Sequence, residues 1–307
     1  MEPSLLFIQL LNGLQLGVLL FLLSAGLTLT FGIMDFVNLA HGSLYMLGAF
    51  ICASLAQYTG SFILAALLAI PLTALCGLII ELIVIRQLYA RNHLDHVLAT
   101  FGLILCLDTL AELIWGPAGI AIALPAFLNG QVELFSGVVV PTFRLLIIAV
   151  GLVAAGGLYF IVNHTRLGML IRAGASNRTM VGALGVDIKT LFSCVFAMGA
   201  ALAGLAGMLV APISEASIGM GNEIIITAFV VIIIGGIGSM KGAFIAALII
   251  GLIDTLGRSY LDDLFKLVLS NEAAETAGPA ISAMLIYLLM ALILAVRPQG
   301  LFPAASR

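Results

Sequence analysis

The chain has 307 residues, of which 63% are hydrophobic and only 9% charged, with a net charge of −3. A soluble domain averages about 25% charged residues, so this composition excludes a soluble domain and leaves a polytopic helical membrane protein. The four cysteines (Cys52, Cys76, Cys106 and Cys194) all sit inside apolar runs, with neither disulfide nor metal-ligand spacing, and read as small buried hydrophobes.

A membrane-spanning helix needs about 20 apolar residues. Leu5 to Phe31 is the first such run. No basic residue precedes it, so it lacks the charged region of a cleaved signal and is expected to be retained. Gly13 and Gly17 form a GxxxG on it, a close-packing face. The stretch GIMDFVNLAHGSLYMLGAF then interrupts the apolar pattern with Asp35, Asn38 and His41 between Gly32 and Gly42. Ala40 to Gln57 is the second span, and Ser61 to Ile85 the third, with Pro71 as an expected kink. Arg86 to His96 reads as a short basic loop, with His93 and His96 solvated and not a metal pair. Val97 to Trp115 is the fourth span and carries Asp108 and Glu112 one turn apart. Gly116 to Thr142 is a long connection with Pro117, Pro125 and Pro141 and no basic residue. Arg144 to Val162 is the fifth span.

His164 to Lys189 is polar and basic, with Arg166, Arg172, Arg178 and Lys189 against Asp187. The positive-inside rule assigns it to the cytoplasmic face. It carries its own helix punctuation. Ser176 or Asn177 can cap a start, Gly185 suits the left-handed position after an end, and Asp187 can cap the next span. Met180, Val181, Ala183 and Leu184 give that short helix an apolar face. A helix of about two turns does not hold itself together in water, so it needs a surface to lie on.

Thr190 to Ala211 is the sixth span, rich in small residues (AMGAALAGLAG) that let helices approach closely. The pattern then breaks again. Glu223 to Ile234 and Ala243 to Ile253 are short apolar runs around GGIGSMKG, and read as two half-helices about a glycine turn. Leu256 to Ala277 reads as polar, with Asp262, Asp263, Glu272 and Glu275, and Pro279 to Val296 is the last span. With the basic loop inside, Arg86, Arg91, Arg166, Arg172, Arg178, Lys189, Lys241, Arg297 and Arg307 are cytoplasmic, against Arg144, Arg258 and Lys266 outside. The parity requires an external N-terminus and a cytoplasmic C-terminus. Two interrupted helices, one in each half, point to a substrate path, because freed backbone groups are tolerated only in a protein interior or a wet cavity.

No ATP-binding loop is present: GxxxxGK[ST] requires Gly-Lys, and no lysine here follows a glycine. No GxSxG elbow or HExxH is present either. Asp108 and Glu112 are intramembrane carboxylates, open to a proton-relay role or to a structural hydrogen bond between helices. Asn38 and His41 either tie down freed backbone groups or line the path.

Three segments carry a family resemblance. FGIMDFVNLAHGSLYMLGAF resembles the N-terminal signature of the inner-membrane permeases of branched-chain amino acid ABC importers. RAGASNRTMVGALGVDIKTL resembles their cytoplasmic loop, and IIIGGIGSMKGAFIAALIIGLI their C-terminal glycine-rich broken helix. The segments stand in the family's order and spacing, and the resemblance covers essentially the whole chain, which looks like the shorter permease of a pair. The resemblance implies an all-α permease, a single domain 1–307 of about eight membrane segments including broken half-helices, with a cytoplasmic coupling loop over 164–189. It implies a bacterial inner-membrane protein that binds no cofactor and performs no chemistry. Its partners would be a second, homologous permease, two cytosolic ATPase subunits that bind the ATP, and a periplasmic substrate-binding protein. A small-molecule substrate is expected, and no nucleic acid.

Within the loop, Arg172, Ala173, Ala175, Arg178, Met180, Val181, Leu184 and Gly185 would form the coupling helix on the ATPase. Ser176–Asn177 departs from the acidic residue that the resemblance leads one to expect after the second alanine. Asn38, His41, Gly42, Gly235, Gly236 and Gly238 would lie near the translocation path. Related permeases carry urea or short amides, and that substrate class remains an alternative. From a different class, an ion-coupled secondary transporter would use Asp108 and Glu112 as its relay.

Overall fold

The computed structural model describes residues 3–135, 138–266 and 271–302. Among the described residues ten α-helices follow one another: α1 (Pro3–Met34), α2 (His41–Thr59), α3 (Phe62–Ile83), α4 (His93–Trp115), α5 (Thr142–His164), α6 (Arg166–Ala183), α7 (Ile188–Ser214), α8 (Met220–Gly235), α9 (Met240–Phe265) and α10 (Asn271–Val296). A 3₁₀ turn (Ile85–Leu88) links α3 to α4, and a small antiparallel hairpin, β1 (Gln131–Phe135) with β2 (Val138–Pro141), precedes α5. Six helices (α1, α3, α4, α5, α7 and α9) are long and apolar enough to cross a membrane. The protein is thus an all-α, multi-pass membrane protein with a short β excursion. Arg307 and residues 267–270 lie outside the described residues.

Short polar side chains start the helices where the chain turns. Ser61 caps α3, Asn92 caps α4, Thr165 caps α6 and Asp187 caps α7, each accepting from a backbone N–H in the first turn. Exposed Leu67, Leu75, Leu98, Leu105 and Leu113 along α3 and α4 suit contact with hydrocarbon.

The structure corrects several expectations. Of the four cysteines read as buried, Cys52 is buried, Cys76 is half-buried, and Cys106 and Cys194 are exposed on the apolar helices α4 and α7. α9 is not a half-helix but a 26-residue helix. It extends into the stretch expected to be polar as far as Phe265, and Arg258 pairs with Asp254 one turn away at 3.0 Å on the same helix. α4 begins at His93, so His96 is not a solvated loop residue; it is buried, with Nε2 against the Leu88 carbonyl at 3.0 Å. The long connection before α5 contains a hairpin that the turn residues alone did not announce.

The described residues form two compact units. One draws on Met1–Phe21, Ala126–Leu152 and Val230–Ala304. In it the Gly13–Gly17 face of α1 lies directly on α9, at Leu248, Gly251 and Leu252, and α9 packs along α10. Phe21 meets Phe244 edge-on at 5.0 Å. The other unit draws on Leu22–Pro125 and Val153–Phe229, and is built on mutual packing of α2, α3 and α7. Lipid tails are as apolar as leucine, so burial alone does not pull these helices together; close backbone approach does. The small-residue stripe of α7 supplies it: Gly204 abuts Gly48, Ala200 abuts Gly77, and Gly207 abuts the Tyr45 carbonyl.

Candidate functional site

The first break, between α1 and α2, is a short irregular stretch whose backbone is held by few bonds. Asp35 ends α1 in the left-handed region at φ +52°, with its N–H donating to the Phe31 carbonyl at 3.0 Å. The Leu39 N–H donates to Thr100 Oγ1 of α4 at 3.3 Å, and the Ser43 N–H to the Ala40 carbonyl at 3.1 Å. The side chains of Asn38, His41 and Ser43 are each 1% exposed. The Asn38 amide and the Ser43 hydroxyl have no hydrogen-bond partner among the described residues, and the His41 ring lies against the Leu23 backbone. The His41 ring is wedged between Gly26 of α1 and Gly199 of α7. Gly42 touches Gly221, where any side chain would overlap the Gly221 carbonyl.

The freed Leu39 N–H is taken up by Thr100 and not by the Asn38 side chain. A buried donor or acceptor left without a partner costs about 1–3 kcal/mol, and such groups call for an explanation other than stability.

The second break, between α8 and α9, is built differently. Gly236 and Gly238 adopt φ +103° and +80°, a turn open to glycine alone at little strain. Ser239 Oγ accepts from the Gly242 N–H at 3.1 Å and caps α9. The carbonyls of Ile234 and Gly235, freed at the end of α8, accept from the N–H groups of Leu301 and Phe302 at 2.8 and 3.0 Å. Gly235 packs on Gly242.

In the basic segment, α6 runs from Arg166 to Ala183 but its helical backbone is interrupted at Asn177 (φ −156°, ψ 91°). The Asn177 side chain accepts from the Met180 N–H at 2.9 Å, so it caps a short second helix, as its residue type suggests. Gly185 takes φ +87° after that helix, and Asp187 caps α7. The Thr190 hydroxyl donates to the Asp187 carboxylate at 2.5 Å and holds its pKa below the ordinary carboxylate value. Met180 and Leu184 are exposed, at 59% and 77%, whereas Val181 is buried and is not part of the free face. Arg172 donates to the Val162 carbonyl and Arg178 to the Met34 carbonyl, so both are turned toward their own chain. Ala173 and Ala175 are half-buried on the first part of α6.

Asp108 accepts a hydrogen bond from the Asn222 amide at 2.8 Å, joining α4 to α8. This is the structural alternative for that carboxylate. Glu112 is exposed. Among the described residues no three histidine, cysteine or acidic side chains gather into a metal-binding group.

One cluster is barely visible in the sequence. Glu81, the single charge in the apolar run of α3, is fully buried. Its carboxylate accepts from Arg86 at 3.2 and 3.3 Å, from Tyr89 at 2.6 Å and from Ser193 of α7 at 2.8 Å. The carboxylate raises the Arg86 pKa, chiefly through this bond. Burial, and then the bond to Glu81, push the Tyr89 phenol up.

Residues 9–294 match the family described as branched-chain amino acid transport system / permease component. The chain is 30% identical to the high-affinity branched-chain amino acid transport system permease protein LivH of Escherichia coli, over 98% of this chain and 96% of that protein. It is 32% identical to the corresponding protein BraD of Pseudomonas aeruginosa, over 84% of this chain and 88% of that one. It is also 28% identical to the ribose import permease protein RbsC of Escherichia coli, over 76% and 72%. No solved structure matches it. The family match takes in both broken segments, the basic loop and all the candidate spans, and the chain belongs to the branched-chain amino acid transport permease family.

Proposed function

We propose that this chain is the membrane-spanning subunit of an ATP-driven importer that moves branched-chain amino acids into the cytoplasm and performs no chemistry itself. The observation that carries the reading is a family match that runs almost from end to end, together with relatives named as branched-chain amino acid permeases. The chain has no Gly-Lys dipeptide for a phosphate-binding loop, so ATP binding falls to two separate cytosolic subunits. A second, homologous permease completes the path, and a periplasmic protein delivers the substrate. The chain sits in a bacterial inner membrane with its N-terminus outside, its C-terminus inside and the 164–189 loop at the cytoplasmic face.

The short helix after Asn177 docks on an ATPase subunit. Its grip comes from Met180 and Leu184, the apolar side chains left exposed. Arg172 bonds back to the Val162 carbonyl and Arg178 reaches the Met34 carbonyl at 3.5 Å, and both remain exposed at the docking face. The path runs beside the first break, where the Asn38 amide and the Ser43 hydroxyl are buried without a protein partner among the described residues and would meet water or the substrate's polar ends when the path opens. Alternating access supplies those partners in one state and withdraws them in the other. The glycine turn at 235–238, its freed carbonyls already satisfied, is a fixed structural element near the path and not a group that meets substrate. The bond from Asn222 to Asp108 supports a structural role for that carboxylate and weakens the proton-relay alternative.

The test is Met180→Asp with Leu184→Asp, made in the complete complex. The protein is expected to insert normally, to lose ATPase co-purification, and to lose leucine uptake. Uptake by the single chain on an ion gradient, without ATPase subunits, overturns the reading.

A further inference from the structure

We infer that Glu81 and Tyr89 are positioning residues of the transport stroke: their cluster with Arg86 and Ser193 links the coupling segment to the first broken segment. The inference rests on the reading of the helix after Asn177 as the docking element.

The geometry forms a chain of contacts. The coupling segment passes through Gly185 and the Asp187 cap directly into α7. Phe192 and Ser193 lie in the second turn of α7. The Ser193 hydroxyl faces the Glu81 carboxylate at 2.8 Å and the Lys189 carbonyl at 3.0 Å, and accepts from Arg86 at 2.7 Å. The Tyr89 hydroxyl donates to the same carboxylate at 2.6 Å. The Tyr89 ring meets Phe192 edge-on at 5.0 Å and Phe36 edge-on at 6.4 Å. Phe36 packs against His96 at 4.3 Å and stands two residues before Asn38. Between the last turn of α1 and Phe36 lies Asp35, at positive φ.

A buried carboxylate with this many donors resists separation from any of them, because a stranded buried charge is strongly destabilising. The end of α3, the 3₁₀ turn and the start of α7 are therefore held as one body. A push on the coupling segment then moves the Tyr89 ring against Phe36. The direct alternative, Arg178 to the Met34 carbonyl, is a single bond at 3.5 Å and too weak to carry the load alone. A static staple would use the same bonds, so the test must read coupling and not stability.

The experiment uses the complete complex in proteoliposomes and measures leucine imported per ATP hydrolysed, with ATPase co-purification in parallel. Tyr89→Phe keeps the ring and deletes the hydroxyl; Glu81→Gln keeps the shape and removes the charge. Both are expected to retain the ATPases and to hydrolyse ATP. Import per ATP should fall about tenfold in Glu81→Gln, the scale of a typical coupling between sites, and by less in Tyr89→Phe. The double variant should be no worse than Glu81→Gln, because the two residues act in one chain. Wild-type import per ATP in both variants overturns the inference, as does a parallel fall of import and hydrolysis in proportion to folded protein. Should Glu81→Gln fail to fold, Tyr89→Phe decides alone. The failure of the docking reading has a different signature: Met180→Asp with Leu184→Asp would still retain the ATPases.

Discussion

Residues 234–242 and residues 34–40 both interrupt a helix with glycines or polar side chains nearby, and they close the gap differently. At 234–242 the freed carbonyls of Ile234 and Gly235 meet the N–H groups of Leu301 and Phe302, and Ser239 caps the next helix. At 34–40 the Leu39 N–H is tied to Thr100, while the Asn38 amide and the Ser43 hydroxyl stay buried with no partner among the described residues. One break is a finished piece of architecture. The other leaves the Asn38 amide and the Ser43 hydroxyl buried without a protein partner among the described residues. A glycine-rich gap in a membrane helix is therefore weak evidence of function by itself; the state of its polar groups separates the two cases.

Breaking the finished turn should do the most damage. A Cβ at Gly236 would stand 2.8 Å from the Phe302 carbonyl oxygen and 3.1 Å from that of Gln299, on a backbone at φ +103°. Gly236→Ala should cost about 3 kcal/mol or more, in the range of severe core substitutions. The thermal midpoint in detergent should fall, and uptake should fall only with the amount of folded protein. A wild-type midpoint would show that the turn is not architectural. Next comes the bond that does close the first break. Thr100→Val leaves the Leu39 N–H without its acceptor and should cost about 1–3 kcal/mol, read as faster amide exchange at Leu39.

Asn38→Leu sharpens the contrast from the other side. Removing an idle buried amide should leave stability unchanged or raise it by about 1 kcal/mol, whereas uptake should drop roughly tenfold if the amide serves the substrate in the open state, a trade of activity for stability. Equal uptake at raised stability would remove Asn38 from the path.

What could be read from the sequence depended on the distance between interacting residues. Asn177, Gly185 and Asp187 act within three or four residues of themselves, so cap chemistry found them. The small-residue stripe of α7 and the Gly13–Gly17 face announced close packing because any partner helix would need it. The full length of α9 was hidden because Asp254 and Arg258 look like a polar boundary until their pairing along one helix face is seen. Glu81 was hidden further still: Ser193, which helps to bury it, is 112 residues away. The burial of Val181, and the bonds that the exposed Arg172 and Arg178 make to backbone carbonyls, were equally out of reach, since they depend on how α6 lies against its neighbours.

The smallest expected effect concerns a cap that belongs to neither break. Asp187 accepts from the Lys189 N–H and from the Thr190 hydroxyl at the start of α7. The Thr190 bond, followed by the backbone N–H groups of Thr190 and Lys189, lowers its pKa. A depressed carboxylate pKa stabilises the fold above the unfolded value, and that contribution is lost as pH falls through the folded value. Acidification should therefore fray the first turn of α7, seen as faster amide exchange at 188–191, with the transition below the ordinary carboxylate range. Asp187→Asn should be insensitive to pH at those amides. Because the cap joins the coupling segment to α7, fraying should loosen the link to Ser193 and leave the glycine turn at 234–242 unaffected. If exchange at that turn rose in step with exchange at 188–191, the two regions would be unfolding together, and the contrast drawn between a finished turn and a working break would fail.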